Sequence, residues 1–205
     1  MGRYAQDPGG GDFQQAPVGT HVARCIKLID LGTQRNEYLG EVSMRNQILV
    51  MWELCNEMME TDNGAKPFIV SKFYTNSLNE KASLRLHLAQ WRGRDFTEAE
   101  LSKFDLQSIL GAACMISVIA DEKGKSRVGG VMKMPKGQVA PEPQNPKLAF
   151  WLDEFRPEVF EGLSDGIKKI IQKSPEYAEA TEVVDRQEKL PKRGHFEDMA
   201  DDIPF

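Results

Sequence analysis

The sequence predicts an α+β chain: a five-stranded β-barrel with a helical insert between strands three and four, a C-terminal helical extension and a disordered acidic tail. Three observations carry this expectation. Period-two hydrophobic patterning flanks one segment of helical spacing. Apolar, aromatic-rich sequence resumes after a proline-rich stretch, and charge then displaces hydrophobicity toward the C-terminus. At 205 residues, 40% hydrophobic and 28% charged, the chain has the material for one domain of moderate size plus tails.

Residues 1–17 combine Gly9, Gly10 and Gly11 with Pro8 and Pro17, too little apolar surface to offset the entropy of ordering, and read as a flexible arm. Residues 20–31 are rich in β-branched and aliphatic side chains and read as the first strand, followed by a polar loop through Gly40. In the second strand Met44, Ile48, Val50, Trp52 and Leu54 share one parity, and Arg45, Gln47 and Glu53 the other, as on a half-buried strand. Asp62, Asn63 and Gly64 supply a turn, and residues 68–75 a third strand.

Leu84, Leu88 and Trp91 then fall at helical spacing before Gly93, a C-terminal stop. Thr97 and Glu100 form a capping-box signature for a second short helix, and residues 106–110 add a turn. Residues 112–120 and 126–134, joined through Asp121, Glu122, Lys123, Gly124 and Lys125, read as a hairpin. Three strands, a helical insert and two strands is the order of an OB-type barrel, which commonly binds oligonucleotides on its second and third strands.

Pro141, Pro143 and Pro146 mark a linker. Beyond it Phe150, Trp151, Leu152, Phe155 and Phe160 precede a helix whose Ile167, Ile170 and Ile171 share a face, expected to pack back on the barrel. The domain is therefore placed at residues 18–177, with residues 178–205 as a disordered acidic tail.

The net charge of −5 opposes a nucleic-acid partner until its distribution is considered. Residues 18–137 carry 16 Lys plus Arg against 14 Asp plus Glu, whereas residues 138–205 carry 9 against 15. A mildly basic core followed by an acidic tail fits a binding domain whose tail has another task. Cys25, Cys55 and Cys114 stand singly without Cys-x-x-Cys spacing, so neither a disulfide framework nor a zinc site is expected. No window approaches the roughly 20 apolar residues of a membrane span, and the expected location is the cytoplasm.

Single-strand binding needs cations to track phosphates and exposed rings for bases to stack on. Arg45 on the second strand, Lys72 and Tyr74 sharing a face of the third, and Arg127 and Lys133 sharing a face of the fifth meet that need, with Arg35 and Tyr38 in the first loop. Tyr74 is the first candidate for stacking, followed by Phe73 and Tyr38. For Phe73, Tyr74 and Trp52 the competing expectation is the core, and Trp52 has the apolar parity. Gly124-Lys125-Ser126 imitates the end of a phosphate loop, but Ile119 stands where that loop needs its first glycine. Asp105, Asp121 and Lys123 faintly follow the spacing of a metal-dependent nuclease, although a charged turn accounts for them more simply. His21, His87 and His195 lie far apart in sequence, with no paired nucleophile.

The last five residues, Asp201, Asp202, Ile203, Pro204 and Phe205, resemble the acidic C-terminal tip of bacterial single-stranded DNA-binding proteins at all five positions. Such a tip presents Ile203 and the Phe205 ring to an apolar pocket while its carboxylates meet a basic rim. Three further segments, at residues 66–75, 84–94 and 104–111, are similar to phage-encoded single-stranded DNA-binding proteins of the OB fold. The resemblance implies a protein that coats and protects single-stranded DNA during phage DNA replication or recombination, in the host cytoplasm and without a cofactor or enzymatic activity. It also implies recruitment of replication or recombination partners, such as an exonuclease, helicase or primase, through the tip. A strand-annealing or adaptor protein and, more remotely, a divalent-metal nuclease remain the alternatives, and self-association stays open.

Overall fold

The structure is a computed structural model that describes residues 14–38 and 40–188. It is α+β, with a mostly antiparallel six-stranded sheet and a few helices. The strands are β1 (Gly19–Tyr38), β2 (Glu41–Thr61), β3 (Gly64–Thr75), β4 (Ala113–Ala120), β5 (Ser126–Met132) and β6 (Leu148–Phe150). The helices are α1 (Ser83–Arg92), α2 (Glu98–Ser102), α3 (Pro157–Glu161), α4 (Asp165–Ile171) and α5 (Pro175–Glu188). Sheet order is β3-β2-β1-β4-β5, with β6 pairing β1 in parallel. No helix among the described residues is long and apolar enough to cross a membrane.

β1 and β2 are longer than their hydrophobic patterning. Their pairing runs from Ala23 opposite Leu54 to Tyr38 opposite Glu41, so the expected first loop is a β-ribbon carrying Arg35 and Tyr38. Register shifts between Cys25 and Lys27 and between Asp30 and Gly32 insert bulges, which bend the strand. One edge of β1 is consequently shared: β4 covers residues 19–24 and β6 covers residues 27–29.

One hydrophobic cluster fills the inside of the curved sheet, with Cys25, Ile48, Val50, Trp52, Tyr74 and Ile116 packed beneath Leu84, Leu88 and Trp91 of α1. α1 ends where expected, on Gly93 in the left-handed region (φ 69°), and the Thr97–Glu100 capping box opens α2. The second cluster lies on the opposite face of β1 and β2. There Ile29, Leu31 and Leu49 meet Phe150, Leu152, Phe160, Leu163 and Ile171, so the C-terminal extension does pack back on the sheet. Each such side chain contributes roughly 1.5–3 kcal/mol on burial.

Two sequence expectations change here. The proline-rich segment is tethered rather than a free linker: Arg24 donates to Ala140 O (2.8 Å) and Pro141 O (2.6 Å), and the buried Glu53 carboxylate accepts from Gln144 N, Asn145 N and Asn145 Nδ2. The chain also remains helical past residue 178, because Tyr177, Ala180 and Val184 recur at helical spacing and give α5 an inward stripe. The tip at residues 201–205 lies outside the described residues.

Candidate nucleic-acid interface

Alternation along β3 divides the candidate residues between two environments. Phe68, Val70 and Tyr74 are buried, whereas Ile69, Ser71 and Phe73 point outward, Phe73 with half of its surface exposed (51%). Tyr74 is therefore a core residue and cannot stack on a base. Its ring meets Trp52 edge-on (6.4 Å between centroids) and its hydroxyl lies 2.7 Å from His87 Nδ1. Burial, reinforced by the nearby Lys72 charge, lowers the His87 pKa to about 4, which favours the neutral ring near neutral pH.

Lys72 shares the inward parity of Tyr74. Its Nζ donates to Val128 O at 3.0 Å, linking the edge strands β3 and β5, between which no backbone ladder runs among the described residues. Partial burial lowers the Lys72 pKa. The side chain is thus a structural staple, and its sequence assignment as a phosphate contact is corrected. A lysine at an inward position reads as outward in sequence, because the free carbonyl that accepts it is supplied by the fold.

The outward face of β3 continues across that junction onto β5 and β4. Arg127 stands opposite Ile119, and Ile69, Ile119 and Met132 are exposed apolar side chains at outward positions. Gly129 is the extra residue of a β-bulge, since Ser117 pairs with Gly130 and Val118 with Val128. A Cβ on Gly129 would sit 3.0 Å from Ile119 Cγ2, so the glycine lets Ile119 lie across the strand. The adjoining hairpin is ordered by Asp121, which accepts from Lys123 N, Lys125 N and Arg127 Nε, each at 2.9 Å. The backbone donor at Lys125 and then Arg127 hold its carboxyl below the ordinary value. Lys123 and Lys125 are left exposed beside this face. Sequence reading missed Ile69, Ile119 and Met132, although the alternation of β3 contained the signal for the first.

The remaining candidates lie elsewhere. Arg45 is exposed on β2 opposite Gln34, and Arg35 is exposed opposite Met44, paired with Glu37 at 3.3 Å. Tyr38 ends β1, and its side chain lies outside the described residues. Lys133 follows β5, and its stem covers Gly93 at the end of α1, away from the strand position expected for it. The ribbon and the β4–β5 hairpin adjoin opposite ends of β1, since Val118 pairs with Gly19.

Several cations are committed to the fold. Arg92 is sandwiched between Phe96 and Phe104 and pairs with Glu100, as does Arg94, while Arg85 meets Asp95. Asp105 caps the 3-10 turn at Leu106–Ile109 through Gln107 N, and Asp121 is occupied by its hairpin. These two carboxylates therefore have local roles on separate elements. No group of three or more His, Cys, Asp or Glu able to hold a metal occurs among the described residues. Cys25 and Cys114 are buried, and burial pushes the Cys25 thiol up to about 12, which makes it a poor nucleophile. Comparison with protein-family models and with curated proteins gives no match for this chain.

Proposed function

We propose that the chain binds single-stranded DNA on an OB-type barrel and acts by binding, not catalysis. The strand order supports the barrel: β3 and β5 end the path β3-β2-β1-β4-β5 around a common core, and Lys72 Nζ on one reaches Val128 O on the other. The observation that carries the functional reading is Phe73. A half-exposed phenylalanine on an outward position of β3, opposite the buried Leu49 and on the same face as exposed Ile69, offers a stacking surface.

On this reading Phe73 stacks a base, Arg127 with Lys123 and Lys125 tracks phosphates at one end, and Arg45 and Arg35 do so at the ribbon. The tip at Asp201–Phe205 recruits replication or recombination proteins, and the setting is phage DNA metabolism in the host cytoplasm. The resemblance of the tip and of residues 66–75 to single-stranded DNA-binding proteins supports both points. The test is fluorescence anisotropy of a labelled single strand against the native protein and Phe73→Ala. About tenfold weaker binding with an unchanged melting temperature is expected; equal affinity refutes the assignment of this face.

A further inference from the structure

On the side of the fold away from the β4–β5 hairpin, α5, the loop at residues 151–156 and the 3-10 turn enclose a groove of about 1040 Å³. Its walls carry Asp30, Asp105, Asp153, Glu154, Glu176 and Glu179, against one cation, Arg156. That arginine is turned toward Ala149 O at 3.2 Å. Trp151, Phe155 and Val183 supply apolar surface, and Val183 is half exposed.

Some of the carboxylates have local work. Glu176 holds Thr33 through its backbone N–H (2.8 Å) and hydroxyl (2.5 Å). Asp30 accepts from Gly32 N at 2.9 Å. Asp153, Glu154 and Glu179 make no ion pair among the described residues. Two further facts mark the groove as short of positive charge and donors. The Asp30 carboxyl is raised by its burial and by the neighbouring charges of Glu176 and Asp153, and Asn46 Oδ1, also on the wall, is buried without a hydrogen-bond partner among the described residues. A strand of DNA would be repelled here.

The chain itself contains a complementary segment. Immediately after α5, which forms one wall, residues 189–196 read Lys-Leu-Pro-Lys-Arg-Gly-His-Phe. They hold three permanent cations, no acid, and Leu190 and Phe196 as apolar anchors. From the end of α5 back to Glu179 is about 14 Å at 1.5 Å per helical residue, and eight extended residues reach about 26 Å. We propose that residues 189–196 fold back and seat in this acidic groove of the same molecule, Lys192 and Arg193 meeting Asp153, Glu154 and Glu179, with an apolar anchor against Trp151 and Phe155. The acidic residues that follow, Glu197, Asp198, Asp201 and Asp202, are held out of the groove by its own charge, which leaves the tip presented to solvent. This inference does not depend on DNA binding.

The test is limited trypsin digestion of the full chain at low salt, following cleavage after Lys189, Lys192 and Arg193 by mass spectrometry. It compares the native protein with the triple variant Asp153→Asn, Glu154→Gln, Glu179→Gln, which creates no new tryptic site. Cleavage about fivefold slower in the native protein is expected, with the difference fading as salt rises and unaltered by hundredfold dilution. Both proteins should melt at the same temperature, since the substituted groups make no ion pair within the described fold. Equal, fast cleavage in both overturns the proposal and leaves the groove to a cationic segment of another protein. Protection lost on dilution overturns it in favour of the tail of a second copy.

Discussion

The Tyr74 hydroxyl lies 2.7 Å from His87 Nδ1 inside the curved sheet, joining a strand to the helix that covers it. The unfolded His87 ring takes up a proton below its ordinary value of 6.5, whereas the folded ring does so only near 4. The unfolded state therefore binds the extra proton first, and stability falls as pH drops from about 6.5 toward 4, then levels for this group. Thermal melts across that window should show the loss in the native protein and a shallower one in the double variant Tyr74→Phe, His87→Leu. Parallel pH profiles would remove His87 from the account.

Phe73 and Lys72 are neighbours in sequence with opposite tasks. Lys72→Ala removes the contact to Val128 O and should lower stability by about 1–2 kcal/mol in urea melts, with the salt slope of DNA binding unchanged. Phe73→Ala should alter stability by no more than about 0.5 kcal/mol and weaken single-strand binding. The reverse pattern would return Lys72 to the phosphate-contacting set.

Glu53 is buried (2% exposed) and accepts three N–H groups from Gln144 and Asn145. Glu53→Ala strands those donors and frees the proline-rich segment, so it should destabilise the fold by about 3 kcal/mol. A loss under 1 kcal/mol by the same measure would mean that the segment is held mainly by Arg24.

Much of this architecture is legible in sequence. The inward parity of Ile48, Val50, Trp52 and Leu54 is the parity of the core, and Gly93, Thr97 and Glu100 end and begin helices as their chemistry requires. Period-two patterning gives a half-buried β2, yet Leu49 and Glu53 on its other face are also buried. Their cover is the extension and the tethered segment, which approach from a hundred residues away and leave no local signal. β6 has three residues, too few for any periodicity. In the site, Phe73 holds the outward position of β3, whereas the sequence reading puts the exposed face on the parity of Lys72 and Tyr74. The partner of Tyr74, His87, is supplied by the following helix.

The most direct test of the central claim is a salt titration of binding to labelled single-stranded and duplex DNA of equal length, using the full chain and a version ending at residue 200. The account predicts a strong single-strand preference, a log affinity that falls linearly with log salt concentration, and no loss of affinity on removing residues 201–205. Duplex preference, or no binding to either form, would contradict it.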